Sequence, residues 1–195
     1  MQIKRLILMG ILLVMALTFY GCNTQKNITH TETDFFKDLK QYEANVTVTF
    51  LKDKQPNEIT MKQVAKVDGT YEMTFLTPEH MKDVKIICDG EKVTQYYPSI
   101  DKSVEQKMSI AQNEILLTSF AARYLTNENI KKQEVQLDGK KMITYEMPIE
   151  GNFRYLSKEK IWLEEKSLKP VQMVLYDEEG NITIEVIYNE FKYNF

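Results

Sequence analysis

From about residue 34 onward, apolar and polar positions alternate along much of the chain, the period of strands that bury one face. Ile59, Met61, Ala65 and Val67 share one parity, Tyr71, Met73 and Phe75 follow, and Val171, Met173 and Leu175 repeat the pattern later. Between such runs stand Asp68-Gly69, Asp89-Gly90, Asp138-Gly139 and Gly180-Asn181. These pairs tolerate the positive φ of tight hairpins, so each predicts two adjacent antiparallel strands. The last run places Ile182, Ile184, Val186 and Tyr188 on even positions, then Phe191, Tyr193 and Phe195 on odd ones. A parity change near Asn189 calls for a β-bulge there, or for a strand covered on both faces.

Two segments follow a helical period instead. Thr31 and Asp34 have capping-box spacing ahead of Phe35, Phe36 and Leu39, which fall on one side of a short helix. Ser109 and Gln112 form a second such pair, followed by a broad stripe of Leu116, Leu117, Phe120, Ala121, Tyr124 and Leu125. A stripe of this width marks a helix laid on a sheet. The expected fold is mainly β (α+β): a curled antiparallel sheet or incomplete β-barrel of about ten strands, with one helix before it and one inserted midway, packed on the concave face.

The N-terminus changes the picture of location. Lys4 and Arg5 precede an apolar run from Leu6 to Tyr20, and the polar stretch "NTQKNITHTETD" follows. That is the layout of an export signal, and the run is short for a spanning helix, though an uncleaved anchor is the alternative. Gly21 before Cys22 suits a lipobox, whereas Phe19 and Tyr20 are bulkier than that motif prefers. The expected organisation is a signal peptide at 1–21, a tether at 22–33 carrying a lipid on Cys22, and a single domain at 34–195. Without the leader the formal charge moves from −3 to −5, and no basic face offers itself to nucleic acid. Of the two cysteines, Cys88 lies in "VKIICDG" and reads as a small buried hydrophobe.

No catalytic set emerges. His30 and His80 are the only histidines, and neither has a metal ligand at suitable spacing. No phosphate loop or nucleophile elbow is present. Glu164-Glu165 and Glu178-Glu179 are adjacent on strand ends or turns, so they point apart instead of facing across a cleft. No catalytic residue, metal or cofactor is therefore expected. Trp162 opposes Ile161 and Leu163 in parity; it is expected to pack in the core or, alternatively, to wall a ligand hollow. Phe153, Arg154 and Tyr155 combine an arginine with flanking aromatics, the composition of interface hot spots, and stand as the candidate partner surface.

The segments "DGEKVTQYYP" and "IWLEEKSLKPVQMVLYDEEGNITIEVIYNEFKYN", with the amphipathic helix between them, resemble the LolA/LolB-like proteins of lipoprotein trafficking. The resemblance implies an incomplete antiparallel barrel with a hollow capped by helices. More closely, the chain resembles the GerS-type lipoproteins of clostridial spores. That likeness implies a non-enzymatic, lipid-anchored protein of the spore envelope that binds the cortex amidase CwlD, a zinc-dependent N-acetylmuramoyl-L-alanine amidase needed for muramic-δ-lactam formation and germination. A carrier sheltering acyl chains in the hollow is the alternative. An exposed strand edge also leaves a homodimer open.

Overall fold

The computed structural model describes residues 32–51, 56–107, 110–151 and 153–194. Helix α1 (Glu32–Asp38) leads into β1 (Gln41–Phe50), β2 (Asn57–Lys66), β3 (Tyr71–Thr77), β4 (Lys85–Cys88), β5 (Val93–Tyr97) and β6 (Lys102–Gln106). Helices α2 (Ile110–Glu114) and α3 (Leu117–Thr126) then lead to β7 (Lys131–Leu137), β8 (Lys140–Pro148), β9 (Lys158–Glu164), β10 (Pro170–Tyr176) and β11 (Ile182–Asn194). The leader, the tether with His30 and Cys22, both residues Thr31 and Ser109 of the expected caps, and Phe195 lie outside the described residues. Among those described, no helix is long and apolar enough to cross a membrane.

All eleven strands join one antiparallel sheet in the order β6-β5-β4-β3-β2-β1-β11-β10-β9-β8-β7. The chain starts in the middle, meanders out to one edge, crosses over through α2 and α3, and meanders back until β11 lies against β1. The sheet does not close, because β6 and β7 remain as its two edges. Each expected hairpin is found. Asp138 and Gly139 both take positive φ, 49° and 76°, the pair of left-handed residues that a two-residue I′ turn requires.

Burial follows the alternation. β1 buries Tyr42, Ala44, Val46 and Val48 and leaves the residues between them half-exposed. On this inner face they pack with Met61, Met73, Ile161, Leu163, Met173 and Val186. Val67 falls in the turn after β2 and is exposed, so the buried set of that strand ends at Ala65. The bulge sits at the expected place: Asn45 faces Glu190 while Val46 faces Tyr188, which leaves Asn189 as the extra residue. Beyond it Phe191 and Tyr193 turn inward, where Phe191 stacks on Tyr42 at 5.7 Å and Tyr193 meets Phe35 edge-on at 5.4 Å.

Trp162 departs from expectation. It is half-buried on the outer face, opposite Ile161 and Leu163, with the Lys160 ammonium 5.0 Å from its ring. It joins neither the core nor a hollow, because its strand parity outweighs its size. The expected second helix is also two helices. Ile115, Leu116 and Leu117 are all buried, which one regular helix cannot achieve with residues about 100° apart. Leu116 is extended, at φ −94° and ψ 134°, and α3 starts afresh after it; Leu125 at the far end points to solvent.

Candidate functional site

The helix break is fastened to the sheet by polar side chains. The Leu117 amide donates to the Tyr42 hydroxyl at 3.2 Å, satisfying an N-terminal amide of α3 that has no partner inside the helix. That hydroxyl donates to Gln63 Oε1 at 2.8 Å, and Gln63 Nε2 donates to the Ile115 carbonyl at 3.4 Å. Gln63 is 0% exposed, so this relay is closed to water. Tyr42→Phe is expected to cost about 1–3 kcal/mol in a urea titration, since it leaves buried partners unsatisfied.

A second fastening is ionic. Glu159 occupies the inner parity of β9 beside Ile161 and is 0% exposed. Arg123, in the last turn of α3, grips both of its oxygens: Nε at 2.5 Å from Oε1 and Nη2 at 2.7 Å from Oε2. The same Nη2 lies 2.6 Å from Oε2 of Glu114, the last residue of α2. Burial pushes the Glu159 carboxyl above its ordinary value, while Arg123 pulls it back. Both carboxylates converge on one guanidinium and do not face each other across a wet cleft, so the arrangement fixes helices and offers no acid–base pair.

Burial also holds three phenols protonated: Tyr71 is pushed up to about 12, and Tyr42 and Tyr188 are raised well above the ordinary 10.0. Their contribution to stability is complete below pH 10.0, where unfolded tyrosine ionises, and is lost as pH climbs from there toward the folded values. Alkaline titration should therefore show these tyrosinates appearing together with unfolding, not before it.

Next to the helix break the inner face leaves an apolar hollow of about 270 Å³. Phe50, Met61, Met73 and Phe75 line it from the sheet, and Ala111, Gln112 and Ile115 close it from the helix side. The carbonyl oxygen Oε1 of Gln112 is buried there without a hydrogen-bond partner, at a cost of about 1–3 kcal/mol. A larger recess of about 490 Å³ at the opposite end of the strands is rimmed by Asp138, Lys140, Glu164 and Lys169, charged residues of the turns.

Of the expected partner surface, Phe153 is half-buried against the core, while Arg154 and Tyr155 face outward, with the Tyr155 residue 45% exposed. Gly151, at φ +121°, holds this geometry, because a Cβ there would fall inside the Phe153 ring. The Arg154 guanidinium lies 5.9 Å from the Tyr155 ring and only loosely meets Glu179, at 3.8 Å. Exposed Ile182 adds apolar surface on the neighbouring strand, where the Thr183 hydroxyl donates to the Tyr155 carbonyl at 2.9 Å. This loop and the hollow both lie at the Phe50 and Ile184 end of the sheet, since those two residues are paired.

Among the described residues, no group of three or more His, Cys, Asp and Glu is placed to hold a metal. His80 is exposed and Cys88 is buried as a free thiol. Sequence reasoning missed Tyr42, Gln63, Glu114, Arg123 and Glu159. The signal for Glu159 was available: a carboxylate on the parity of Ile161 and Leu163 is buried, and a buried carboxylate needs a cation.

The family model described as sporulation protein YdcC-like matches residues 2–195. No curated protein matches the chain. A chain from the structure of the CwlD amidase from Clostridioides difficile in complex with the GerS lipoprotein is 25% identical, with 88% of this chain and 100% of that one covered and a TM-score of 0.54. A conserved protein from Thermus thermophilus shares the fold, at 13% identity over 84% of this chain and 83% of that one, with a TM-score of 0.52. A LolA superfamily protein from Nitrosomonas europaea is 12% identical over 80% of this chain and 87% of that one, with a TM-score of 0.41.

Proposed function

We propose that this chain, which belongs to the YdcC-like sporulation protein family, is a non-enzymatic envelope protein that binds and activates a cell-wall amidase of the CwlD type. The observation that carries this reading is the likeness, along most of the chain, to GerS, a lipoprotein held in complex with the CwlD amidase. The clamp and relay side chains of this chain fasten helices to a sheet; the partner brings the metal and the chemistry. Binding to the partner's metal-competent conformation stabilises that conformation by mass action. A lipid on Cys22 would hold the complex at a membrane of the forespore or spore envelope, where the amidase step leads to muramic-δ-lactam in the cortex. Pairing of two copies through an edge strand, β6 or β7, is part of the same proposal.

The docking surface proposed is the β8–β9 loop, with Arg154 and Tyr155 presented outward and Phe153 holding the loop in place. In this reading, the purified chain forms a stoichiometric complex with the amidase and raises its zinc retention or activity. Arg154→Glu with Tyr155→Ala weakens that complex by about 30-fold or more, the loss expected of a hot spot, and leaves the melting temperature of the free chain unchanged. No complex with the native chain, and no change in zinc content or activity, would refute the proposal.

The hollow favours a second reading, a carrier of acyl chains. At about 270 Å³ it falls just below the range of about 300–1,000 Å³ usual for ligand pockets. Lipid found by mass spectrometry in the natively purified chain would support the carrier; a lipid-free chain would remove it.

A further inference from the structure

We propose that the outer face of the sheet carries a binding site for an uncharged polysaccharide of β-linked pyranose units bearing acetamido groups, with Trp162 as its stacking platform. The register sets six side chains in one line across the strands: Gln133, Thr144, Trp162, Gln172, Ile187 and Thr47, on β7, β8, β9, β10, β11 and β1 in turn. None of the six is charged. The next line on the same face runs from Lys131 through Glu146, Lys160 and Val174 to Glu185 and is charged everywhere except at Val174. A neutral track flanked by Glu146 and Glu185 gives no hold to nucleic acid, which needs a basic surface. None of the large exposed apolar side chains lies on the track either, so it lacks the apolar centre of a protein interface. What it offers is amides, hydroxyls and one broad aromatic ring.

The indole is laid out for stacking. Helices α1 to α3 pack on the inner face, so no layer covers the outer one, yet Thr144 and Val174 are each only 1% exposed there. Their cover is the Trp162 ring, directly opposite Thr144 and diagonal to Val174, together with the Lys160 stem. A ring so placed rests one face on the sheet and turns the other outward. The Lys160 ammonium sits over it at 5.0 Å on a flexible stem, a contact weak enough to yield to a ligand. The axial C–H groups of a β-linked pyranose, polarised by the sugar oxygens, suit the negative face of an aromatic ring. Beside it, Gln172 Nε2 donates to Glu185 Oε1 at 2.6 Å, which fixes that amide and leaves its carbonyl oxygen for a ligand hydroxyl or acetamido N–H. Spacing supplies a second match. Strands lie about 4.8 Å apart, close to the advance per sugar along a β-1,4-linked chain, so a glycan laid across them brings one unit to each side chain of the line.

The test uses the chain by itself, so its failure is separate from that of the amidase proposal. Trp162 is the single tryptophan of the protein, so its fluorescence reports this face alone. The probe is N-acetylchitohexaose, a soluble β-1,4-linked chain of N-acetylglucosamine. Titration is expected to give a saturable blue shift, with the hexamer bound about tenfold or more tighter than the dimer, because only the hexamer reaches all six side chains. Maltohexaose, whose α-linked chain coils away from a straight line, should produce no shift. By calorimetry, Trp162→Leu weakens hexamer binding about tenfold and Gln172→Ala about threefold to tenfold, in chains whose far-UV circular dichroism is unchanged. Lys160→Ala binds as well as the parent or better, since it uncovers the ring. No shift with the hexamer, an equal response to maltohexaose, or parent-like binding by Trp162→Leu overturns the site. So does a loss of about tenfold in Lys160→Ala, the mark of an anionic ligand. A Trp162 shift produced by the amidase and not by the hexamer overturns it too, by making this face a protein surface.

Discussion

Changing Arg123 to alanine lowers the stability of the chain by about 3–5 kcal/mol in urea titrations, one of the two largest losses expected of any small change. The reason is what the change leaves behind. Glu159 stays on the inner face at 0% exposure with its cation gone, and Glu114 loses the same partner. The loss depends on pH with a definite sign. Burial already raises the Glu159 carboxyl, and without Arg123 it rises further. A carboxyl raised in the folded state contributes fully below the unfolded value, ordinarily 4.5, and loses that contribution as pH climbs through the folded value. The variant's deficit is therefore largest at neutral pH and narrows toward 4.5. Combining Arg123→Met with Glu159→Leu and Glu114→Gln removes the charges together and recovers most of the loss. An alanine variant as stable as the parent at neutral pH would mean that the clamp does not hold α3.

Inserting an alanine between Glu190 and Phe191 has an effect of similar size for a different reason. The bulge at Asn189 sets Phe191 and Tyr193 on the inner face, so deleting Asn189 leaves every face unchanged, whereas one added residue beyond it moves every side chain from Phe191 to Asn194 to the other face. Phe191 and Tyr193 would leave the core, and Lys192 would be driven into it. Each aromatic is partly buried and contributes up to about 1.5–3 kcal/mol, and the lysine cannot be buried unpaired. The end of β11 therefore unpairs from β1, and α1 loses the edge-on contact of Phe35 with Tyr193. The expected loss is about 3–6 kcal/mol, with protease cutting near residues 38–41. Asn189→Ala keeps the residue count and removes only the bond from Nδ2 to the Thr47 hydroxyl at 3.0 Å, so it costs about 1 kcal/mol. Equal effects from the two changes would show that register does not matter there.

What was legible in the chain was local. Asp-Gly pairs specify turns within a few residues, and alternation specifies which side of a strand is buried, so the hairpins and the bulge could be read directly. Trp162 shows how this reading went astray: its size suggested the core, but its parity with Lys160 had already placed it outside, where the lysine covers it. The helix break at Leu116 was hidden because no glycine or proline marks it; burial of three successive apolar residues causes it, and that depends on the sheet beneath. The charged clamp was hidden for the same reason. Glu114, Arg123 and Glu159 look like surface residues until α3 is laid across β9. Arg154 and Tyr155 stood out by composition alone, whereas the way Gly151 seats Phe153 beneath them depends on a positive φ that the sequence does not declare.

The seam between β1 and β11 has a consequence for timing. Gln41 pairs with Asn194, so the middle of the sheet joins nearly the first and the last described residues of the chain. The two meanders are not joined before the thirteen residues of β11 arrive. Contacts spanning so much of the polypeptide are slow to form. A chain still emerging from a ribosome is thus kept open until β11 has been made.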